Sequence, residues 1–150
     1  ATHSEGEIIY IDKVDNNSSV VVYSQIGKRA PMYCTGVGKA ILAFLPEEYM
    51  EKYVLSRPLI KMTEHTITTG DGLLKELEQV RERGYAVDDE DIEPGLHCIA
   101  APIFNHKRQP QMAISMSFPY GRMWDLDWEQ AVRDVLYYAK QTSERLGYIK

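Results

Sequence analysis

The sequence predicts an α+β domain in which an antiparallel sheet is flanked by helices, and three observations carry that expectation. The apolar run His97–Asn105 and the segment Pro110–Pro119 flank the polar turn Asn105–Gln109, so the two read as a hairpin. Glu7–Val14 and Ser18–Ser24 read as a second hairpin around Asp15-Asn16-Asn17, their β-branched and aromatic content favouring strands. Leu73–Arg83 and Trp128–Leu146 instead carry apolar residues at helical spacing.

Taken in order, Ala1–Glu5 show no hydrophobic pattern, so residues 1–6 are expected to be a tag or linker remnant ahead of a single domain spanning 7–150. Glu7–Val14 is the first strand and Ser18–Ser24 its partner. Val37–Leu45 and Glu47–Leu55 read as short helices separated at Pro46, where a main-chain donor is lost. Between Ser56 and Gly70 the pattern fades into loop. In the next helix Leu73, Leu74, Leu77 and Val80 share one side, and Gly84 stops it. Tyr85–Asp89 is a strand, followed by an acidic loop and the hairpin. The closing helix has Asp127 as N-cap, Gln130 in the capping-box position, a stripe of Trp128, Val132, Val135, Ala139 and Leu146, and Gly147 as its stop.

A chain of 150 residues can bury a proper core. It holds no apolar run approaching the ~18 residues of a membrane span and no signal-peptide pattern, so a cytoplasmic protein with no membrane partner is expected. The net charge of −5, with both signs mixed along the chain, argues against this stretch gripping nucleic acid by itself. Cys34 and Cys98 lack CxxC spacing, so reduced thiols are expected and neither a metal nor a cofactor is.

The most informative residues are Ser115 and Ser117. Residues two apart in a strand share a face. With the hairpin centred on its turn, Cys98 faces Ser117, Ala100 faces Ser115 and Pro102 faces Ala113, while Ile99, Ile103, Met112, Ile114, Met116 and Phe118 fill the opposite face. A whole face of small side chains implies that something else occupies the space, and the inference is a polar-floored pocket for a small molecule. Thr35-Gly36-Val37-Gly38-Lys39 opens a helix whose free N–H groups and partial positive charge suit a carboxylate. A phosphate loop is excluded, because Tyr33 and Ala40 stand where that motif needs Gly and Ser or Thr. Lys39 is expected to point to solvent or to a neighbouring carboxylate. Asp88 lies on the side of Ala86, whereas Asp89, Glu90, Asp91 and Glu93 read as a solvated acidic edge without calcium-loop spacing. His97 should face away from Cys98 and so cannot easily activate that thiol as a nucleophile. Val22, Met32 and Leu96 are candidate apolar walls of the pocket.

Three segments together resemble the effector-binding domain of IclR-type bacterial transcription regulators. Gly27–Leu45 (GKRAPMYCTGVGKAILAFL) matches the pattern G-x-x-x-P-x-x-x-T-x-x-GKA-x-LA. Arg83–Ile103 (RGYAVDDEDIEPGLHCIAAPI) matches RG-x-x-x-D-x-E-E-x-x-x-G-x-x-C-IA-A-P-[IV], with Asp91 where the second acidic residue is usually Glu. Ala113–Pro119 (AISMSFP) matches the aliphatic-S-x-S strand. The family's N-terminal winged helix-turn-helix has no counterpart in these residues.

The resemblance implies a GAF/profilin-like fold, a small-carboxylate effector, and DNA binding through the absent segment. It implies that the N–H groups of Gly36 and Val37 hold the effector's carboxylate, that Asp88 enters the pocket, and that Cys98 lines it. A carboxylate beside a carboxylate is unfavourable, so Asp88 is expected to accept hydrogen bonds from ligand hydroxyls remote from the acid end. That describes a sugar acid or a keto or hydroxy acid. The expected function is therefore effector sensing and oligomerisation, as dimer or tetramer, in a DNA-binding regulator with no catalysis. The alternatives are a GAF-like redox enzyme using Cys98 as its thiol, assisted by Asp88, and a GAF-like domain for a nucleotide or larger cofactor.

Overall fold

The structure is a computed structural model that describes residues 1–15, 24–119 and 125–150. The hairpin forms in the register the sequence predicts. Strands β5 (Leu96–Phe104) and β6 (Pro110–Pro119) set Cys98 opposite Ser117, Ala100 opposite Ser115 and Pro102 opposite Ala113. They sit inside a six-stranded antiparallel sheet with β1 (Thr2–Ser4), β2 (Glu7–Ile9), β3 (Arg29–Pro31) and β4 (Ala86–Asp89), in the order β3-β2-β1-β6-β5-β4. The α+β class is as expected.

Two expectations about the first strands are corrected. The sheet begins ahead of Glu7, with Glu5–Gly6 as the turn between β1 and β2: β1 pairs with β2 along its length and with β6 at Thr2–Met112, and Ala1 exchanges main-chain hydrogen bonds with Ala113 in both directions at 2.9 Å. Strand β2 pairs with β1 and β3, and ends at Ile9 rather than Val14. Of its expected partner Ser18–Ser24, all but Ser24 lies outside the described residues, and Ser24 is in no strand.

The sheet's two faces differ as alternation requires. On one, Ile99, Ala101, Ile103 and Phe118 are buried against α4 (Trp128–Arg145). That helix starts on Asp127, whose side chain accepts the Gln130 N–H at 3.0 Å; the Gln130 side chain reaches forward to Asp134 instead of closing a capping box. Its buried stripe is Ala131, Val135, Ala139 and Ser143, with Trp128 and Val132 at the flanks and Leu146 outside at 38 % exposure. The small side chains let α4 approach closely.

On the other face lies α1 (Gly36–Leu42), all seven of whose residues are buried. The small face of the hairpin is thus covered largely by a helix, which revises the expectation that a ligand fills it. A Cβ on Gly36 would sit 3.5 Å from the Cβ atoms of Asp88, Cys98 and Ala100, so larger residues there would push α1 away. Gly38 is stricter: a Cβ there would lie 2.3 Å from the Met32 carbonyl oxygen. Behind α1 run α2 (Glu47–Met50), continued by a π-helical turn Glu51–Leu55, and α3 (Gly70–Arg83), capped by Thr69 and ended by Gly84 at φ 83°. Leu73, Leu77 and Val80 of α3 join Ile41 and Leu42 in the core on this side. Complete burial of each such aliphatic side chain contributes about 1.5–3 kcal/mol.

Candidate effector-binding site

Four segments converge where α1 begins. Thr35 is in extended conformation and its hydroxyl accepts the Gly38 N–H at 3.2 Å, which starts the helix at Gly36 over the middle of the hairpin. Strand β4 pairs with β5 so that Asp88 stands opposite Cys98, and Cys98 opposite Ser117 on β6. Asp88, Cys98 and Ser117 therefore form one transverse row beneath the helix tip. Gly36, Val37, Asp88, Cys98, Ser115 and Ser117 all line a single hollow, and so does Leu96. Tyr10, Ser24 and Ile92 also line it; the sequence reading missed them. For Ile92 a signal existed, since it is the one apolar side chain in the run Asp88–Glu93.

The hollow spans about 290 Å³ including its opening, but a water centre fits in only about 10 Å³ of it. That is room for about one water. It adjoins a wider groove, about 1670 Å³ including its opening, that shares Tyr10, Ser24, Val37, Ser115 and Ser117 and runs past Ile11–Asp15. Admitting a ligand of several carbons therefore requires the lining to part along that side.

Two of the expected walls fare differently. Met32 does not line the hollow: it is fully buried in the core beneath Gly38, and its sulfur accepts the Tyr49 hydroxyl at 3.8 Å. Val22 lies outside the described residues.

Charge in the site is governed by burial. Asp88 is only 2 % exposed, and its Oδ1 accepts the Asp91 N–H at 2.8 Å. Burial, and then the negative charge of Asp91, push its carboxyl up to about 7, against the pull of the Asp91 N–H and of Lys39. Asp88 thus holds a proton far more readily than an ordinary carboxylate and, when protonated, can donate to a ligand oxygen as well as accept from a hydroxyl. This widens the acceptor-only role expected from the sequence.

Lys39 meets a carboxylate, as one of its two expected options, but deep in the protein. At 2 % exposure it donates to the Val87 carbonyl at 2.6 Å, forms an ion pair with Asp91, and lies 3.6 Å from Glu76. Asp91 is accordingly buried, which corrects its place on a solvated edge. Of the four residues assigned to that edge only Asp89 is exposed; Glu90 is half-buried, with its carboxylate on the Gly95 N–H at 2.9 Å, and Glu93 is half-buried too.

Cys98 donates to or accepts from Ser117 Oγ at 3.2 Å, and burial pushes its thiol up to about 12. At neutral pH it is a protonated wall atom with negligible thiolate. His97 faces the other side of the sheet, with Nδ1 3.0 Å from Asp89. Asp89, Glu90 and His97 do bring potential metal-ligand atoms within 4.8 Å of one another, but Asp89 already occupies one ring nitrogen and Glu90 approaches the other at 3.8 Å.

The family profile described as "Bacterial transcriptional regulator IclR C-terminal" matches residues 1–144. This chain belongs to the IclR family. The HTH-type transcriptional regulator KdgR of Escherichia coli (strain K12) is 36 % identical over 144 residues, covering 96 % of this chain and 55 % of that protein. The Thermotoga maritima IclR crystal structure superposes with a TM-score of 0.86 at 38 % identity, covering 98 % of this chain and 60 % of that one. The inducer-binding domain of the PobR transcription factor from Acinetobacter, solved as a double mutant with 3-hydroxybenzoic acid, gives a TM-score of 0.77 at 25 % identity, over 98 % of this chain and 85 % of that one. The chain spans about half the length of the curated relatives it matches. It matches the C-terminal part of that family of bacterial transcriptional regulators, and the relatives named here are transcriptional regulators.

Proposed function

We propose that this IclR domain senses a small carboxylate, of the sugar-acid or keto- or hydroxy-acid class, and passes its occupancy to DNA-reading segments elsewhere in an oligomeric cytoplasmic regulator. The observation that carries the reading is the convergence of Gly36, Val37, Asp88, Cys98, Ser115 and Ser117 on one hollow. In it, the N–H groups of Gly36 and Val37 receive the acid, Ser115 and Ser117 hydrogen-bond along the ligand, Asp88 reads its hydroxyl or carbonyl groups, and Cys98, Leu96 and Ile92 provide apolar walls. The inducer-binding domain of PobR, which has the same fold, carries a hydroxylated aromatic acid, which supports the ligand class. Because the hollow here is contracted, a ligand favours a state in which α1 and the hairpin are set further apart. The coupling to DNA binding equals the ligand's differential affinity for the two states, commonly about 1–3 kcal/mol. The exposed pair Tyr137 and Tyr138 on α4, each 58 % accessible, is a candidate subunit contact for a dimer or tetramer.

A thermal-shift screen of sugar acids and short keto acids tests the reading, since a ligand that binds only the folded state raises the melting point by mass action. A stabilising acid whose effect disappears in Ser115→Ala/Ser117→Ala is the expected result. Failure of every acid, or a hit indifferent to both serines, overturns it.

A further inference from the structure

Asp91 has each of its polar groups committed to a different part of the fold. Its main-chain N–H donates to Asp88 Oδ1 at 2.8 Å, its carbonyl accepts the Thr66 hydroxyl at 2.7 Å, and its carboxylate pairs with Lys39. It is 6 % exposed and does not itself line the hollow, although Asp88 and Ile92 on either side do. Its partners are equally fixed. The Thr66 hydroxyl accepts the N–H groups of Met62 and Thr63 at 3.0 and 2.8 Å, which leaves its single proton for Asp91. Thr63 donates to the Glu90 carbonyl at 2.6 Å, so the turn 62–66 grips two consecutive residues of the acidic loop. Lys39 ties the same residue to α1 and to the Val87 carbonyl.

A carboxyl group with one oxygen held by a rigid donor cannot turn freely, which fixes the direction its second oxygen presents to a ligand. The donor here is a main-chain group, and the residue that supplies it is anchored at both its carbonyl and its side chain. We propose that Asp91 is a positioning residue for the ligand site: it sets the orientation and the charge of Asp88 from behind, and Lys39 and Thr66 hold it in place. This rests on the reading that Asp88 meets the ligand.

The charged groups that act on Asp88 are Asp91 and Asp89 from its own loop and Lys39 from α1; the thiols of Cys34, just ahead of α1, and Cys98, on β5, in turn feel its charge. Asp91 contributes in two opposing ways, its negative charge disfavouring ionised Asp88 and its N–H favouring it. The two contributions are separable by mutation. Asp91→Asn keeps the main-chain N–H and removes the charge, leaving Lys39 with Glu76, at 3.6 Å, as its remaining carboxylate partner. Thr66→Val keeps the charge and removes the anchor of the carbonyl, loosening the peptide that donates to Asp88.

The experiment is a carbon-13 carboxyl titration of Asp88 by NMR in the ligand-free protein. In Asp91→Asn the Asp88 midpoint falls from about 7 by about 1–3 pH units. In Thr66→Val it rises, because the N–H that favours the ionised form is loosened, and Thr66→Ser restores the original midpoint. Opposite movements are not what a general loss of packing gives. An Asp88 midpoint unchanged in folded Asp91→Asn overturns the proposal. Should that variant fail to fold, the Thr66 pair decides: an unmoved midpoint in Thr66→Val, or one that Thr66→Ser does not restore, overturns it equally. No ligand enters the measurement, so a failed acid screen would defeat the sensing function and leave this result standing.

Discussion

Replacing Asp88 by asparagine isolates the energetic consequence of burying a carboxyl under α1. The amide has the same shape and keeps an oxygen to accept the Asp91 N–H, so the packing around the 2 % exposed side chain is retained. In the wild type the carboxyl titrates at about 7 when folded and at its ordinary 3.8 when unfolded. Between those values the unfolded chain releases its proton while the folded one keeps it, so rising pH favours unfolding. The stability lost amounts to about 1.4 kcal/mol for each pH unit, close to 4 kcal/mol in all, and the loss is complete once the folded group has also ionised. Asp88→Asn has no such loss. Urea unfolding of both proteins from pH 4 to pH 8.5 should give curves that diverge steadily from pH 4 to pH 7 and run parallel above. By pH 8 the variant should be more stable by about 4 kcal/mol, or roughly 8–16 °C in melting temperature for a chain of this size. Curves that stay parallel throughout would show that Asp88 ionises like a surface carboxylate, and the argument from burial would fail.

Three further outcomes follow from the same geometry. Ser115→Ala with Ser117→Ala should weaken the acid retrieved by screening by about 1–3 kcal/mol while leaving the urea midpoint nearly unchanged, as calorimetry would show. Iodoacetamide should modify Cys98 in the folded protein far more slowly than in urea at pH 7.5, because its thiol is buried and raised to about 12; equal rates would revive a thiol chemistry. Gly38→Ala should cost about 1–3 kcal/mol, because its new methyl meets the Met32 backbone at 2.3 Å and the helix start must shift.

The hairpin was legible because two constraints act on it together: a polar turn fixes the register, and the two-residue period then assigns every side chain to a face. The row Asp88, Cys98, Ser117 follows from that register plus one more antiparallel pairing. What small side chains mean was harder to read. A face of Ala, Ser, Cys and Pro accommodates a closely approaching helix as well as a ligand, and α1 fills most of this one. Strand β1 carries no hydrophobic alternation in Thr-His-Ser, and its structure comes from pairing with β2 and β6. The buried Lys39–Asp91 pair joins residues 52 positions apart, so local charge patterning showed only an acidic run and a helical lysine. Thr66 shares that difficulty, since its partner lies in a loop 25 positions away.

A Cβ placed on Gly36 would stand in ordinary contact, 3.5 Å from the methyl of Ala100, so the seat of α1 is a steric gauge for any side chain larger than alanine. A side chain larger than alanine at either position would act as a permanent wedge under the helix, producing the displacement proposed above for an occupant. On the proposed sensing function, such a wedge would mimic a bound ligand. Constitutive alleles of this kind should map to Gly36 and Ala100 rather than to the polar floor.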